Sequence, residues 1–295
     1  MYLGADAGGS NTRAVLVDAN GEVLGAGRTA GANPVVHGIE QAGRQLAEAF
    51  RQALGNHSAA KVTASVIGLA GGPTVGRPLL DEIKRVAAEV GLKAAPVVLG
   101  DTEVAFAAGS RVPDGVLVLS GTGAAAAELR DWRLKRHIDG NGWLLGDEGS
   151  GFWIGRQAVR AVLRMLDGRG RPTKLLDLVS YALATEPDTA AIERAVYAEP
   201  PLRLATLAPL VTGLYADDSV AAEIVTEAAE LLLAAVDALD PAGAGYREVV
   251  LAGGLLLAEG PLRALVAGGV TDRFGLTVRF AEDGAAGAAK LARLL

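Results

Sequence analysis

Residues 2–27, "YLGADAGGSNTRAVLVDANGEVLGAG", decide the fold. An apolar run at residues 2–5 enters a Gly-rich loop, and a second run at residues 14–17 leaves it. Glycine inside a strand loses backbone entropy and packs nothing, so the Gly8–Gly9 pair between two apolar runs marks a tight turn or a close backbone approach. "DANG" at residues 18–21 is a hairpin signal that leads into a third run at residues 22–27. The stretch therefore predicts three short antiparallel strands.

Outward from there, "HGIEQAGRQLAEAFRQALG" places Ile39, Ala42, Leu46, Phe50 and Leu54 at intervals of three or four, as an amphipathic helix ending at Gly55. The strand "VTASVIGLA" follows, then a helix over residues 77–90, a short buried strand "PVVLGD" and a helical stretch over residues 102–109. Strands alternating with helices define an α/β protein. Around residue 115 the opening order returns: "GVLVLSGTGAAAAELRDWRLKRHIDG" again runs strand, Gly-containing loop, strand, polar turn, strand. The repetition is of pattern rather than identity. From "GDEGSGFWIGRQAVRAVL" to about Leu239 the chain reads as helical, after which "REVVLAGG", "GPLRALV", "LTVRFA" and "DGAAGAAKLARLL" read as strand, helix, strand and helix. The expected organisation is two similar lobes, residues 1–113 joined by a C-terminal helix at 284–295, and residues 114–283 with a helical insertion. A ligand cleft is expected between them.

Composition narrows the function. The chain has 295 residues, 50% of them hydrophobic, enough apolar surface for sizeable cores. Its net charge of -6 and the lack of a Lys/Arg cluster argue against nucleic acid or an anionic membrane as partner. Without a cysteine there is neither a disulfide nor a thiolate metal site. No basic leader or long apolar run is visible, so a cytoplasmic protein is expected.

Two Gly-rich turns, "AGGSN" and "SGTGA", occupy equivalent places in the two repeats. Successive N–H groups in such turns make anion-binding concavities, and glycine lets backbone approach a phosphate. Gly8, Gly9, Asn11 and Thr12 in the first, and Gly121, Thr122 and Gly123 in the second, are the phosphate-clamp candidates; the competing reading of each is a plain hairpin turn. Neither turn is a GxxxxGK[ST] loop or a GxGxxG helix start, which disfavours Walker and Rossmann nucleotide sites. Gly253 and Gly254 follow a buried strand and suit a surface for adenine or ribose, or are a simple strand-to-helix turn. Asp101 ends a strand and precedes a helix: it is an N-cap, or a general base that accepts a hydroxyl proton as the oxygen attacks a γ-phosphate. Of Asp147 and Glu148, one could cap the following helix and the other bond substrate hydroxyls. Asp6, beside the first loop, could hold Mg2+ through water, since Mg2+ keeps much of its hydration; otherwise it is a turn aspartate.

"GADAGGSNTR", "GANP", "GLAGG", "LGDTEVAFAAG", "LSGTGAAA", "GWLLGDEGSGFWIG" and "LAGGLL", in this order, resemble the BadF/BadG-type ATPase family of the actin-like sugar kinase superfamily, in particular its N-acetylglucosamine kinases. The resemblance spans nearly the whole chain. It implies two ribonuclease-H-like lobes around a nucleotide cleft, ATP with Mg2+, and a small sugar substrate; a homodimer is one of the assemblies it allows. By the same resemblance Asp101 matches the catalytic base, Ser10 and Thr122 the phosphate-loop hydroxyl residues, "LAGG" the adenosine motif, and Asn33, Gly140, Asn141 and Asp147 the sugar contacts. Two positions depart from the family. The sugar kinases usually carry Gly-Gly-Trp-Gly before "GDEGS", where this chain has "DGNGW", and Val35 stands where a bulkier aromatic residue is common. An iron–sulfur activator of the same family would need cysteines, which this chain lacks. The expected activity is transfer of the γ-phosphate of ATP to an amino sugar such as N-acetylglucosamine or glucosamine. The alternatives are a non-catalytic nucleotide or sugar sensor, and an ATPase of the same family with another acceptor.

Overall fold

The computed structural model describes residues 1–9, 11–69 and 76–295, with the side chains of Val35 and Val36 also outside the description. Ser10 and the Ala70, Gly71 and Gly72 positions of "GLAGG" therefore lie outside the described residues.

The opening stretch folds as read, with longer strands: β1 (Tyr2–Ala7), β2 (Asn11–Val17) and β3 (Val23–Ala30). β1 pairs antiparallel with β2, and β2 with β3. A short helix α1 (Pro34–His37) leads to α2 (Ile39–Leu54), whose buried face includes Ala42, Leu46, Phe50 and Leu54. Then come β4 (Ala64–Leu69), α3 (Arg77–Val90), β5 (Val97–Gly100) and α4 (Asp101–Gly109). β4 lies parallel to β1, and β5 parallel to β4, so the sheet order is β3-β2-β1-β4-β5.

The second half repeats the plan. β6 (Gly115–Ser120), β7 (Ala124–Arg130) and β8 (Arg133–Asp139) neighbour one another; β9 (Glu248–Ala252) lies parallel to β6 and β10 (Thr277–Phe280) parallel to β9, giving the order β10-β9-β6-β7-β8. Between β8 and β9 the helices α5 (Gly151–Leu166), α6 (Leu175–Ala182), α7 (Thr189–Ala198), α8 (Ala208–Gly213) and α9 (Ser219–Asp237) form the insertion. α10 (Gly254–Leu257) and α11 (Pro261–Phe274) connect β9 to β10, and α12 (Gly284–Ala292) closes the chain.

By contacts the chain divides into two units. The first comprises Met1–Asp114, Leu129–Leu134 and Ala281–Leu295, and the second Gly115–Glu128 and Lys135–Phe280. Each has its own core. In the first, Leu3, Ala5, Leu16, Phe50 and Ile67 pack together, and α12 returns to bury Ala285, Ala288, Ala289 and Ala292. In the second, Val116, Val118, Ile154, Val225, Leu232 and Leu251 join sheet to insertion. Apolar burial at about 25 cal/mol per Å2 makes these clusters the main stabilising term. Among the described residues no helix is long and apolar enough to cross a membrane.

Candidate functional site

In the first unit the β1–β2 turn is tied down from one side. Gly8 N–H donates to the Asn11 carbonyl at 3.0 Å, and the Gly8 carbonyl accepts from Ala32 N at 3.1 Å and Asn33 N at 3.2 Å. Asn33 thus reaches the loop through its backbone, directly ahead of α1. His37 at the end of α1 places Nε2 2.6 Å from the Gly9 carbonyl; a carbonyl can only accept, so the ring donates Nε2–H there. Sequence reading missed His37, because nothing local marks a contact across 28 residues. Two predicted clamp residues do not present a free, exposed side-chain group. The Asn11 side chain accepts from Arg28 of the neighbouring strand at 3.1 Å, and the Thr12 hydroxyl is buried without a partner among the described residues.

Three carboxylates gather beside this loop. Asp6, at the end of β1, is pushed up to about 6, chiefly by burial and then by the charges of Asp101 and Asp283, with Arg13 opposing. Asp283 caps α12 by accepting from Ala285 N at 2.9 Å, and its second oxygen lies 3.8 Å from Arg13. It too escaped the sequence reading, although Asp-Gly before an Ala-rich run is a usable cap signal. Asp101 is half-buried at the start of α4. Gly100 holds the cap position and Glu103 closes the first turn, accepting from Gly100 N at 2.6 Å. One Asp101 oxygen accepts from Thr102 N at 2.9 Å, and the other has no hydrogen-bond partner among the described residues.

The second unit carries the other candidates. The loop at Gly121, Thr122 and Gly123 closes on itself through Gly121 N to the Gly123 carbonyl at 2.9 Å, and docks on α5: the carbonyls of Gly121 and Thr122 accept from Gly151 N at 2.7 Å and Phe152 N at 3.2 Å. Loop and helix are thereby one rigid piece. Ser150 is the N-cap of α5, accepting from Trp153 N at 3.1 Å; neither Asp147 nor Glu148 caps it, which corrects that expectation. A hydroxyl immediately ahead of the helix takes the position because the two acids lie further back in a left-handed bend, with φ 55° at Asp147 and 78° at Gly149. Asp147 is 9% exposed and accepts from the N–H groups of Ala124 and Gly142. Burial raises its carboxyl above the ordinary range, and the charge of Asp139 adds to this. A side chain on Gly123 would meet the Asp147 carboxylate at 2.9 Å, so the glycine is what lets loop and carboxylate approach. Asp139, unnoticed in the sequence, anchors the segment by accepting from Asp147 N at 2.9 Å and Glu148 N at 2.7 Å. Gly140 and Asn141 are exposed, and Trp143 packs edge-on against Phe152 with ring centroids 5.4 Å apart.

Gly253 has φ 88°, and a Cβ there would stand 2.3 Å from the Ser120 carbonyl, so β9 can pass the β6 end only as glycine. Next to it a cavity of about 410 Å3 is lined by Gly121, Thr122, Gly254, Leu255, Glu259 and Pro261, among others. Its size and mixed lining suit a nucleoside. Glu259 and the wall from the insertion (Pro209, Thr212) were not legible in sequence, since they come from distant segments.

The same strand order in both units, each with a Gly turn between its first two strands, is the double ribonuclease-H-like plan of the actin-like ATPases. Within that class the chain belongs to the BadF/BadG/BcrA/BcrD ATPase family, whose sequence model matches residues 3–292. A protein of Chromobacterium violaceum named as an N-acetylglucosamine kinase has a similar structure, with TM-score 0.77 and 28% identity over 99% of this chain and 98% of that one. A ROK family glucokinase from Streptomyces griseus, solved with glucose and AMPPNP, shares the fold with TM-score 0.58 and 20% identity, over 100% and 99% of the two chains. The N-acetylmuramic acid/N-acetylglucosamine kinase of Clostridium acetobutylicum is 31% identical over 176 residues, a match that spans 59% of this chain and 56% of that relative.

Proposed function

We propose that the protein is an ATP-dependent sugar kinase acting on an amino sugar, with Asp101 as general base. The observation that carries this reading is Asp101 itself: a half-buried carboxylate at a strand's carboxyl end, with one oxygen unpartnered among the described residues, near Asp6 and the first Gly loop. The acceptor hydroxyl gives its proton to Asp101 as its oxygen bonds the γ-phosphorus; the bond from that phosphorus to the β–γ bridging oxygen breaks, and ADP leaves. The N–H group of Gly9 in one loop, and those of Thr122 and Gly123 in the other, orient phosphates, while the Gly8 N–H stays with the Asn11 carbonyl and the cavity beside Gly253 takes the nucleoside. Ser10 and Thr122 would add hydroxyl contacts. The crowding of Asp6, Asp101 and Asp283 fits a cation held outside the protein's own ligand shell, and no three His, Cys, Asp or Glu among the described residues could hold a metal directly. Mg2+ bound through water at Asp6 would supply charge neutralisation for the phosphates.

Asn33, Gly140, Asn141 and Asp147 are the acceptor candidates. The burial of Asp147 and its two backbone bonds favour a second reading, in which the ATPase is retained and the acceptor differs from N-acetylglucosamine. A screen of amino sugars and hexoses for ADP release with Mg-ATP, run beside Asp101→Asn, separates the readings. Release stimulated by no sugar would overturn the kinase assignment.

A further inference from the structure

A second cavity, of about 480 Å3, lies in the helical insertion and shares no lining residue with the nucleoside cavity. On one wall α5 presents Gln157, Arg160 and Arg164, three to four residues apart and hence on one helix face. The opposite wall is α9, with Glu223 and Glu227, and its apolar floor includes Val220 and Ile224. The connection after α5 adds Arg169 and Arg171.

This connection is rigid. Arg169 N and Gly170 N both donate to the Arg164 carbonyl at 2.8 Å. Asp218, the N-cap of α9, also accepts from the Thr173 hydroxyl at 2.9 Å and from Lys174 N at 2.6 Å. Arg169 and Arg171 are thus launched from fixed backbone, and each has a carboxylate partner, Asp167 and Glu223 respectively. Arg160 and Arg164 have no carboxylate within ion-pair distance among the described residues; Arg160 donates to Gln157 at 3.3 Å, and the charge of Arg164 acts on Asp167 only from beyond contact. Two guanidinium groups one turn apart on a helix repel each other, and here they do so inside a concavity of a protein with net charge -6.

We propose that this cavity binds a small phosphomonoester. The guanidinium fork matches phosphate oxygens bidentately, so Arg160 and Arg164 together can take a doubly charged tetrahedral group, with Arg169 at its edge. Glu223 and Glu227 on the facing wall accept hydrogen bonds and repel a second anionic group. The favoured ligand therefore carries one phosphate and a hydroxyl-rich remainder, as a hexose phosphate does. The apolar floor suits the hydrocarbon face of such a ring.

The test is calorimetric titration of the full chain with a hexose 6-phosphate, inorganic phosphate and the free hexose, at constant ionic strength and with Mg-ADP present throughout. Binding of the hexose phosphate is expected to weaken by at least about tenfold in the Arg160→Gln/Arg164→Gln double variant and to be unaffected by Asn33→Ala, which lies in the proposed acceptor site. Both arginines are exposed, and circular dichroism checks that the double variant is folded. Weaker binding of inorganic phosphate with the same variant dependence supports the hydroxyl contacts. The inference is overturned by absence of binding up to about 10 mM, by binding that survives the double variant, or by binding lost only in Asn33→Ala, which would put the ligand in the acceptor site. A protein that binds hexose phosphate through Arg160 and Arg164 yet phosphorylates no sugar would leave this site standing and overturn the kinase reading alone.

Discussion

At the scale of single residues, the carboxylates of the first unit make the sharpest predictions. Asp101→Asn keeps the shape of the side chain and removes the proton acceptor, so sugar-dependent turnover is expected to fall by about two to four orders of magnitude with nucleotide affinity nearly unchanged. Turnover within a few-fold of wild type would remove Asp101 from the base role. Asp6 predicts a pH effect. Its folded value of about 6 lies above the ordinary 3.8, so the folded state favours the protonated form. The stability this contributes is complete below about pH 4 and is lost as pH rises through about 6. In Mg-free buffer at pH 8, Asp6→Asn is therefore expected to be more stable than wild type by on the order of 3 kcal/mol, and so to unfold at higher temperature, with the gap closing towards pH 4. A constant gap between pH 4 and 8 would show that the carboxyl is not perturbed. His37 acts through its bond to the Gly9 carbonyl. His37→Ala is expected to raise the KM for ATP several-fold with kcat less affected, and His37→Gln, which keeps an N–H donor, to recover part of it. Equal kinetics in all three proteins would dismiss the loop tether.

At the scale of elements, the two kinds of glycine in the loops should separate. Among the described residues a Cβ on Gly9 meets nothing within 4 Å, and one on Gly121 meets Gly254 N at 3.8 Å and Gly253 Cα at 4.0 Å, ordinary van der Waals distances. Gly9→Val and Gly121→Val are thus expected to fold normally and to bind ATP more weakly, because the branched side chain stands where phosphate would approach the N–H groups. Gly253→Ala is a different case: with φ 88° and a carbonyl 2.3 Å from the new Cβ, it should cost more than about 2 kcal/mol of stability. Melting temperatures and ATP titrations on the same samples decide this, and unchanged ATP affinity in both valine variants would sink the clamp. α5 adds a helix-cap test at Ser150, whose replacement by Ala should cost about 1 kcal/mol.

For the whole molecule, segments far apart in sequence belong together: residues 281–295 fall in one unit with residues 1–114. α12, the last helix, buries Ala285, Ala288, Ala289, Leu291 and Ala292 in the first unit, at 5% exposure or less. Removing residues 284–295 would open that core and leave Asp283 with no helix to cap. The truncated protein is expected to lose the cooperative unfolding of its first unit, seen as a missing or broadened transition by calorimetry; an unchanged transition would mean that the closing helix is dispensable.

Much of this architecture was legible in one dimension. The strand–turn–strand order of residues 2–27 and its repeat from residue 115, the apolar stripe of α2 and the limits of α3 are set by side-chain period and turn chemistry, which act within a few residues. The Gly turns and Asp101 stood out for the same reason. What the residues would touch was not legible. Asp147 is a buried acceptor for Ala124 and Gly142, Ser150 rather than either acid caps α5, and Arg28 takes the Asn11 side chain. Asp283 comes to share a site with Asp6 only because β1 lies beside the last helix, and His37 reaches Gly9 only once β3 has carried the chain back. Local periodicity determined which elements form. Which polar groups meet, which carboxyls are buried and which arginines lack partners depended on contacts between residues far apart in the chain, and these exist only after the sheets have closed.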